Sequence, residues 1–150
     1  MPTSQMQYYD KSHNSIIIDK EIGKGGEGRV CLIKGNKNVV AKLYLDKALQ
    51  KGDKSGKIKA MCDLYDNEIA KFSALPQKEI YDSNGKIVGF IMEHLNLNDF
   101  KEIHLLYGIK DRKKHFDYAD WGFMVHSAKN LACAVETLHS KGIVIGDNCW

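Results

Sequence analysis

The sequence has no apolar run that approaches the roughly 18 residues of a membrane span, and its first residues lack the basic and apolar segments of a secretory signal. Its four cysteines lie far apart with no C-x-x-C pair, which argues against a disulfide framework and against a metal cluster. The net charge of +3 is too small to indicate a nucleic-acid partner. These absences predict a cytoplasmic globular protein without nucleic-acid or membrane partners, and we assign no metal ligand.

The most informative motif that is present is a glycine-rich stretch, G-x-G-x-x-G-x-V, over residues 23–30. Glycine adopts backbone dihedrals that other residues avoid and has no Cβ, so such a stretch can approach phosphate oxygens closely. We therefore predict that Gly23, Gly25 and Gly28 cradle the phosphates of a nucleotide. The pattern alone also fits a dinucleotide-binding fold, in which a helix follows the glycines.

The residues after the glycines favour a β-hairpin over a helix. Two apolar stretches, residues 30–33 and 39–45, flank a turn-forming cluster at residues 35–38. Lys42 lies on the second stretch, from which its ammonium could reach the same phosphates. Asp46 has the spacing of a dinucleotide-binding acid, but the hairpin replaces the helix that such a fold requires. The glycines and the lysine together indicate an ATP site of the protein-kinase type.

A helix is predicted next, because apolar residues recur at intervals of three and four between residues 57 and 75 and Pro76 would end the helix. Glu68 lies beside the apolar face of this helix. We predict that its carboxylate pairs with Lys42 and holds the ammonium towards the α- and β-phosphates of ATP. A solvent-exposed helical glutamate is the alternative interpretation.

The remaining pattern completes a mixed α+β fold. Residues 79–93 predict a second hairpin around the favoured turn pair Asn84 and Gly85, which gives five antiparallel strands and one helix in the order β-β-β-α-β-β. A long amphipathic helix is predicted over residues 121–139, and Gly142 would end it.

This order of elements and motifs resembles the protein kinase superfamily, in its atypical bacterial, eukaryotic-like form, over residues 16 to about 147. The resemblance implies a flexible tail at residues 1–14 and a kinase N-lobe at residues 15–95, with a five-stranded sheet and one αC-type helix. It further implies the hinge, αD- and αE-type helices and the start of the catalytic loop at residues 96–150. The cofactor would be ATP, and the activity would be phosphoryl transfer to a protein hydroxyl.

The resemblance also implies the catalytic residues, which are Lys42, Glu68 and Asp147. Asp147 takes the place of the catalytic-loop aspartate that orients the substrate hydroxyl. The sequence departs from the usual family pattern at two points. Ile145 and Gly146 replace the usual His-Arg, and the magnesium-binding residues would fall beyond Trp150.

The adenosine contacts follow from the same resemblance. The backbone carbonyl of Glu93 and the amide of Leu95 would bind the adenine edge, and Asp99 would bind the ribose or, alternatively, cap a helix. The side chains expected to line the apolar adenine slot are those of Val30, Ala41 and the gatekeeper Met92.

Because the C-lobe is incomplete in this sequence, we expect the chain alone to lack turnover. Mg²⁺ is expected for the complete domain, and its ligands are absent from this sequence. A missing C-lobe or a partner chain would then cover the apolar face of the helix over residues 121–139. Three alternatives stay open from the sequence: a nucleotide-binding or pseudokinase-like interaction module, a small-molecule phosphotransferase, and a purely structural role.

Overall fold

The computed structural model describes residues 7–145. The chain divides into two compact units, the first ending at His94 and the second beginning at Leu95. The first unit is a sheet with short helices, and the second is helical. The α+β class and the antiparallel sheet predicted from the sequence are therefore confirmed.

Within residues 7–145 the first unit contains one antiparallel sheet of seven strands in the order β2-β1-β6-β7-β5-β4-β3. All five predicted strands are present: the strand before the glycines, the two strands of the first hairpin and the two strands of the second. The strands are β1 Tyr8–Tyr9, β2 Ser15–Ile16, β3 Ile18–Lys24, β4 Gly28–Ile33, β5 Asn36–Tyr44, β6 Lys78–Tyr81 and β7 Ile87–Glu93.

Strand β1 lies within residues 1–14, for which a flexible tail was expected. Tyr8 is only 6% exposed and packs into the main apolar cluster, while Tyr9 pairs with Tyr81 at the edge of β6. The guanidinium of Arg29 also donates a hydrogen bond to the Tyr8 hydroxyl, at 3.2 Å. These aromatic contacts join β1 to the sheet although the surrounding sequence is polar.

The helical segment after β5 is shorter than predicted. Helix α1 covers Asp46–Leu49, helix α2 covers Lys54–Leu64, and a single 3₁₀ turn covers Ile69–Lys71. The prediction of one helix over residues 57–75 is wrong. The Asp66 carboxylate accepts the backbone N–H groups of Glu68 and Ile69, at 2.9 and 2.8 Å, and this local turn competes with continued helix.

The second unit contains helices α3 His104–Tyr107, α4 Ile109–His115 and α5 Trp121–Ser140. The Asp120 carboxylate caps α5 by accepting the Phe123 N–H at 2.7 Å. Gly142 ends it with a φ of 77°, so the prediction of this helix and its end is confirmed. Among the described helices, none combines the length and the apolar character that a membrane crossing requires.

Side chains alternate along each strand, so the sheet has two faces. On one face, Ala41 and Leu43 pack into an apolar cluster with Tyr8, Cys31 and Ile80. The alternation of side chains along β5 places Val40, Lys42 and Tyr44 on the other face. We call this second side the Lys42 face.

Gly28 fixes the register at the start of β4. A Cβ at this position would lie 2.5 Å from the backbone oxygen of Leu43 on β5. Within residues 7–145 the glycines with left-handed φ angles lie elsewhere, so the structure needs glycine here for close backbone contact rather than for an unusual dihedral. Because the contacted atom belongs to a strand backbone, it cannot move aside cheaply.

Replacement of Gly28 by alanine is expected to lower the free energy of unfolding by about 1–3 kcal/mol, the usual range for overpacking. Urea denaturation of the purified protein measures this change. Gly26→Ala is the matched control, because a Cβ there meets nothing within 4 Å, and it should leave the midpoint nearly unchanged. Equal midpoints for the two variants would contradict this account of the register.

Candidate functional site

The predicted lysine lies at the centre of the Lys42 face. Val30 on β4 and Phe90 on β7 are its direct cross-strand neighbours. Val40 pairs in the same way with Met92, two residues along each strand. The register thus brings Val30, Val40 and Met92 onto the same side as the lysine.

The Lys42 ammonium is surrounded by aromatic side chains. Its Nζ lies 5.7 Å from the ring centroid of Tyr44 and 5.9 Å from that of Phe90, and the two rings are 6.1 Å apart. Cation–π contacts hold a charge without neutralising it. Within residues 7–145 the ammonium forms no ion pair, so its charge stays available to an anionic ligand.

The glycines form a tight turn between two antiparallel strands. Gly23 lies near the end of β3 opposite Val30, and the Gly25 N–H donates to the Gly28 carbonyl at 2.8 Å. Space is open around Gly25 and Gly26, where an added Cβ would meet no atom closer than 4.0 Å. A strand follows the third glycine, which excludes the strand–helix arrangement of a dinucleotide-binding fold at this position.

Glu27, at the tip of this turn, is anchored to helix α2 by an ion pair that the sequence analysis did not predict. Its carboxylate lies 2.9 Å from the ammonium of Lys54, and that ammonium lies 5.2 Å from the Tyr44 ring centroid. The backbone carbonyl of Glu27 also accepts the Leu45 N–H, at 2.9 Å. The hydrogen bond and charge of Lys54, with smaller contributions from Lys42 and Lys51, lower the pKa of Glu27.

Glu68 does not lie on the helix from which its role was predicted. It is exposed and precedes the 3₁₀ turn at Ile69–Lys71. Helical geometry therefore does not direct its carboxylate towards Lys42.

Ala41 is not among the side chains on the Lys42 face. It is fully buried in the opposite apolar cluster, because neighbouring residues on a strand point to opposite sides. Val40, which is 2% exposed, occupies the position that the sequence analysis gave to Ala41. The period of two along β5 was the sequence signal that could have identified it.

The two residues predicted to bind the adenine edge lie, along the chain, on either side of the point where the first unit ends. Glu93 ends β7 in the first unit, and Leu95 begins the second. Between them, the His94 N–H donates to the Asn38 carbonyl at 2.9 Å. Asp99 is exposed in a turn, and the next helix begins only at His104, so Asp99 does not cap a helix. Asp147 lies outside the described residues.

A concavity of about 280 Å³ opens elsewhere in the first unit, next to Leu43 and Val88. Its lining mixes acidic and basic groups, which does not favour a polyanionic ligand. The charged residues concerned are Glu21, Lys24, Arg29, Asp46 and Asp82.

The curled seven-stranded sheet with its accompanying helices is compatible with the N-terminal lobe of a protein kinase. The chain is 29% identical over 140 residues to protein kinase YegI of Escherichia coli O157:H7, a match that covers 93% of this chain and 21% of that protein. It is 30% identical over 131 residues to protein kinase YegI of Escherichia coli strain K12, covering 87% of this chain and 20% of that protein.

The chain thus spans about a fifth of the length of the curated relatives it matches. No family model and no solved structure matches it. The two YegI matches support a protein kinase-like relationship for this chain.

The ion pair of Glu27 predicts a specific titration. A carboxylate with a lowered pKa stabilises the folded state above its ordinary pKa of 4.5, and this contribution is lost as the pH falls through the lowered value. In Lys54→Gln the Glu27 midpoint should rise towards 4.5, as followed by carboxyl carbon NMR shifts. Lys51→Gln is the control and should raise it less, because Lys51 contributes least to the shift. Equal midpoints in the wild type and Lys54→Gln would disprove the pairing.

Proposed function

We propose that this chain binds ATP on the Lys42 face, in the manner of a protein kinase N-lobe. The observation that carries the proposal is the position of the Lys42 ammonium. It is on the same face as Val30, Val40 and Met92, and it forms no ion pair within residues 7–145. An uncompensated cation beside an apolar strip fits a ligand with an anionic part and a flat apolar part.

Each part of the site has a separate role in this proposal. The Lys42 ammonium holds phosphate oxygens, and the open turn formed by Gly23, Gly25 and Gly28 lets backbone groups approach them. The apolar side chains contact the adenine ring, with Val40 in place of Ala41. The hinge contacts from Glu93 and Leu95 and the ribose contact from Asp99 are retained from the family resemblance.

We further propose that the protein containing this segment transfers the γ-phosphoryl group of ATP to a protein hydroxyl in the cytoplasm, with Asp147 orienting the acceptor. Both similar proteins carry the name protein kinase, which supports this reaction class. Mg²⁺ would neutralise the phosphate charge. The described residues include no cluster of three or more potential ligands for it, so we derive no step through the metal.

The position of Glu68 favours a second candidate, a pseudokinase-like module that binds nucleotide without transferring phosphate. A kinase lysine needs an acidic partner to hold it in place, and the predicted partner precedes a 3₁₀ turn instead of lying on a long helix. Transfer of labelled phosphate by the full-length protein, lost in Asp147→Asn, supports the kinase; saturable ATP binding without transfer supports the module.

The binding proposal predicts that Lys42→Met weakens ATP binding about tenfold or more. Hydrogen bonds to charged groups contribute about 1.5–3 kcal/mol, and 1.4 kcal/mol corresponds to a factor of ten. Isothermal titration with ATP measures the dissociation constants.

Lys34→Met is the matched control, because Lys34 is an exposed lysine directly after β4. It should retain the wild-type affinity. Equal affinities for the two variants, or no binding of millimolar ATP by the wild type, would refute the proposed site.

A further inference from the structure

The segment at residues 46–59, which covers α1 and the first half of α2, concentrates positive charge. It contains five lysines and two aspartates, a net charge of +3 that equals the net charge of the entire chain. The rest of the chain is therefore formally neutral. The lysines of the segment are Lys47, Lys51, Lys54, Lys57 and Lys59.

Most of this charge is exposed and not neutralised. Lys54 is half-buried and paired with Glu27, whereas the other four lysines are exposed and form no ion pair within residues 7–145. The Asp53 carboxylate caps α2 by accepting the Gly56 N–H at 2.8 Å, so it serves the helix end. Single exposed lysines are ordinary surface residues; this group differs because it adjoins the glycine turn.

Three of the lysines extend from the glycine turn along one side of α2. The Lys54 ammonium lies 2.9 Å from the carboxylate of Glu27 at the tip of the turn. Lys51 is close enough to help lower the pKa of Glu27. Lys57 follows Lys54 by three residues, which puts both on the same side of the helix. We call Lys51, Lys54 and Lys57 the basic strip.

The composition of the segment narrows the class of anion that the strip fits. Its larger apolar residues, Ala48, Leu49 and Ile58, are at most 9% exposed, so none is left to insert into a lipid surface. It contains no aromatic residue for stacking on bases and no arginine for bidentate contacts with phosphate. Lysine ammonium groups are compact point charges that suit separate carboxylates. An acidic polypeptide is therefore the favoured partner.

We propose that the basic strip binds acidic residues beside the hydroxyl that accepts phosphate, so that the substrate is a protein segment rich in aspartate and glutamate. This inference rests on the proposed function and adds the substrate class to it. Reacting atoms must come within about 3–3.5 Å, so an acceptor segment has to pass close to the phosphates at the glycine turn. The long, exposed side chains of Lys51 and Lys57 then lie beside that segment.

The test compares two fluorescein-labelled serine peptides by fluorescence anisotropy with the full-length protein that contains this segment, in the absence of nucleotide. Glutamates surround the serine in one peptide, and glutamines replace them in the other. The acidic peptide should bind more tightly, and added salt should weaken its binding because exposed charges are screened. Equal binding of the two peptides would overturn the proposal.

A double variant locates the binding. Lys51→Gln with Lys57→Gln should lower the affinity for the acidic peptide about threefold to tenfold, because two exposed charge pairs are lost. Arginine at both positions keeps the charge and should retain most of the affinity. The control, Lys34→Gln with Lys37→Gln, removes the same charge from exposed lysines at the other end of the β4–β5 hairpin. Equal losses in the two glutamine variants would contradict a specific strip.

The nucleotide-free titration separates this proposal from the proposed function. If the full-length protein transfers no phosphate, the kinase activity is refuted, while the peptide titration still decides whether the strip prefers acidic segments. If it is active, Lys51→Gln with Lys57→Gln should raise KM for the acidic peptide and leave kcat unchanged, because these lysines contact substrate away from the reacting atoms. A lowered kcat with unchanged KM would overturn the proposal.

Two other polyanions serve as competitors in the same titration. Single-stranded DNA, or vesicles that contain phosphatidylserine, should bind more weakly than the acidic peptide. Tighter binding of either one, lost in the variant Lys51→Gln with Lys57→Gln, would assign the strip to that partner and overturn the proposal.

Discussion

The arrangement of this site depends on the register of β5 between its two neighbours. A Cβ at Gly28 on β4 would meet the Leu43 backbone oxygen, and a Cβ at Gly89 on β7 would overlap the carbonyl oxygen of Lys42. Two glycines on opposite sides thus allow close contact with β5, and both of them approach Leu43. A slip of one residue would turn Lys42 into the apolar cluster and Ala41 onto the other face, because the period of a strand is two.

Features set by local sequence were predicted well. The turns around Gly35 and Gly85 have φ angles of 84° and 75°, which only glycine adopts readily, so both hairpins were visible in the sequence. Helix α5 was equally clear, because its apolar residues repeat over 20 positions and its end is a left-handed glycine. The candidate lysine followed from its place on the second strand of the first hairpin.

Features set by competing or distant contacts were not predicted. The helical pattern continued past Leu64, but the Asp66 carboxylate bonds two backbone N–H groups and favours a turn there. The pairing of Tyr9 with Tyr81 and of Glu27 with Lys54 joins residues far apart in sequence, which no local pattern indicates. The position of Ala41 could have been predicted, because strand alternation alone puts it opposite Lys42.

In the proposed nucleotide site, the charges near the glycine turn matter more for a ligand than for stability. The ion pair of Glu27 and Lys54 is partly exposed, and such pairs contribute only about 0–1 kcal/mol. Its larger effect is to neutralise the carboxylate nearest the turn, which would otherwise repel phosphate. With that charge compensated, the Lys42 ammonium, which forms no ion pair within residues 7–145, can meet an anion that approaches the glycines.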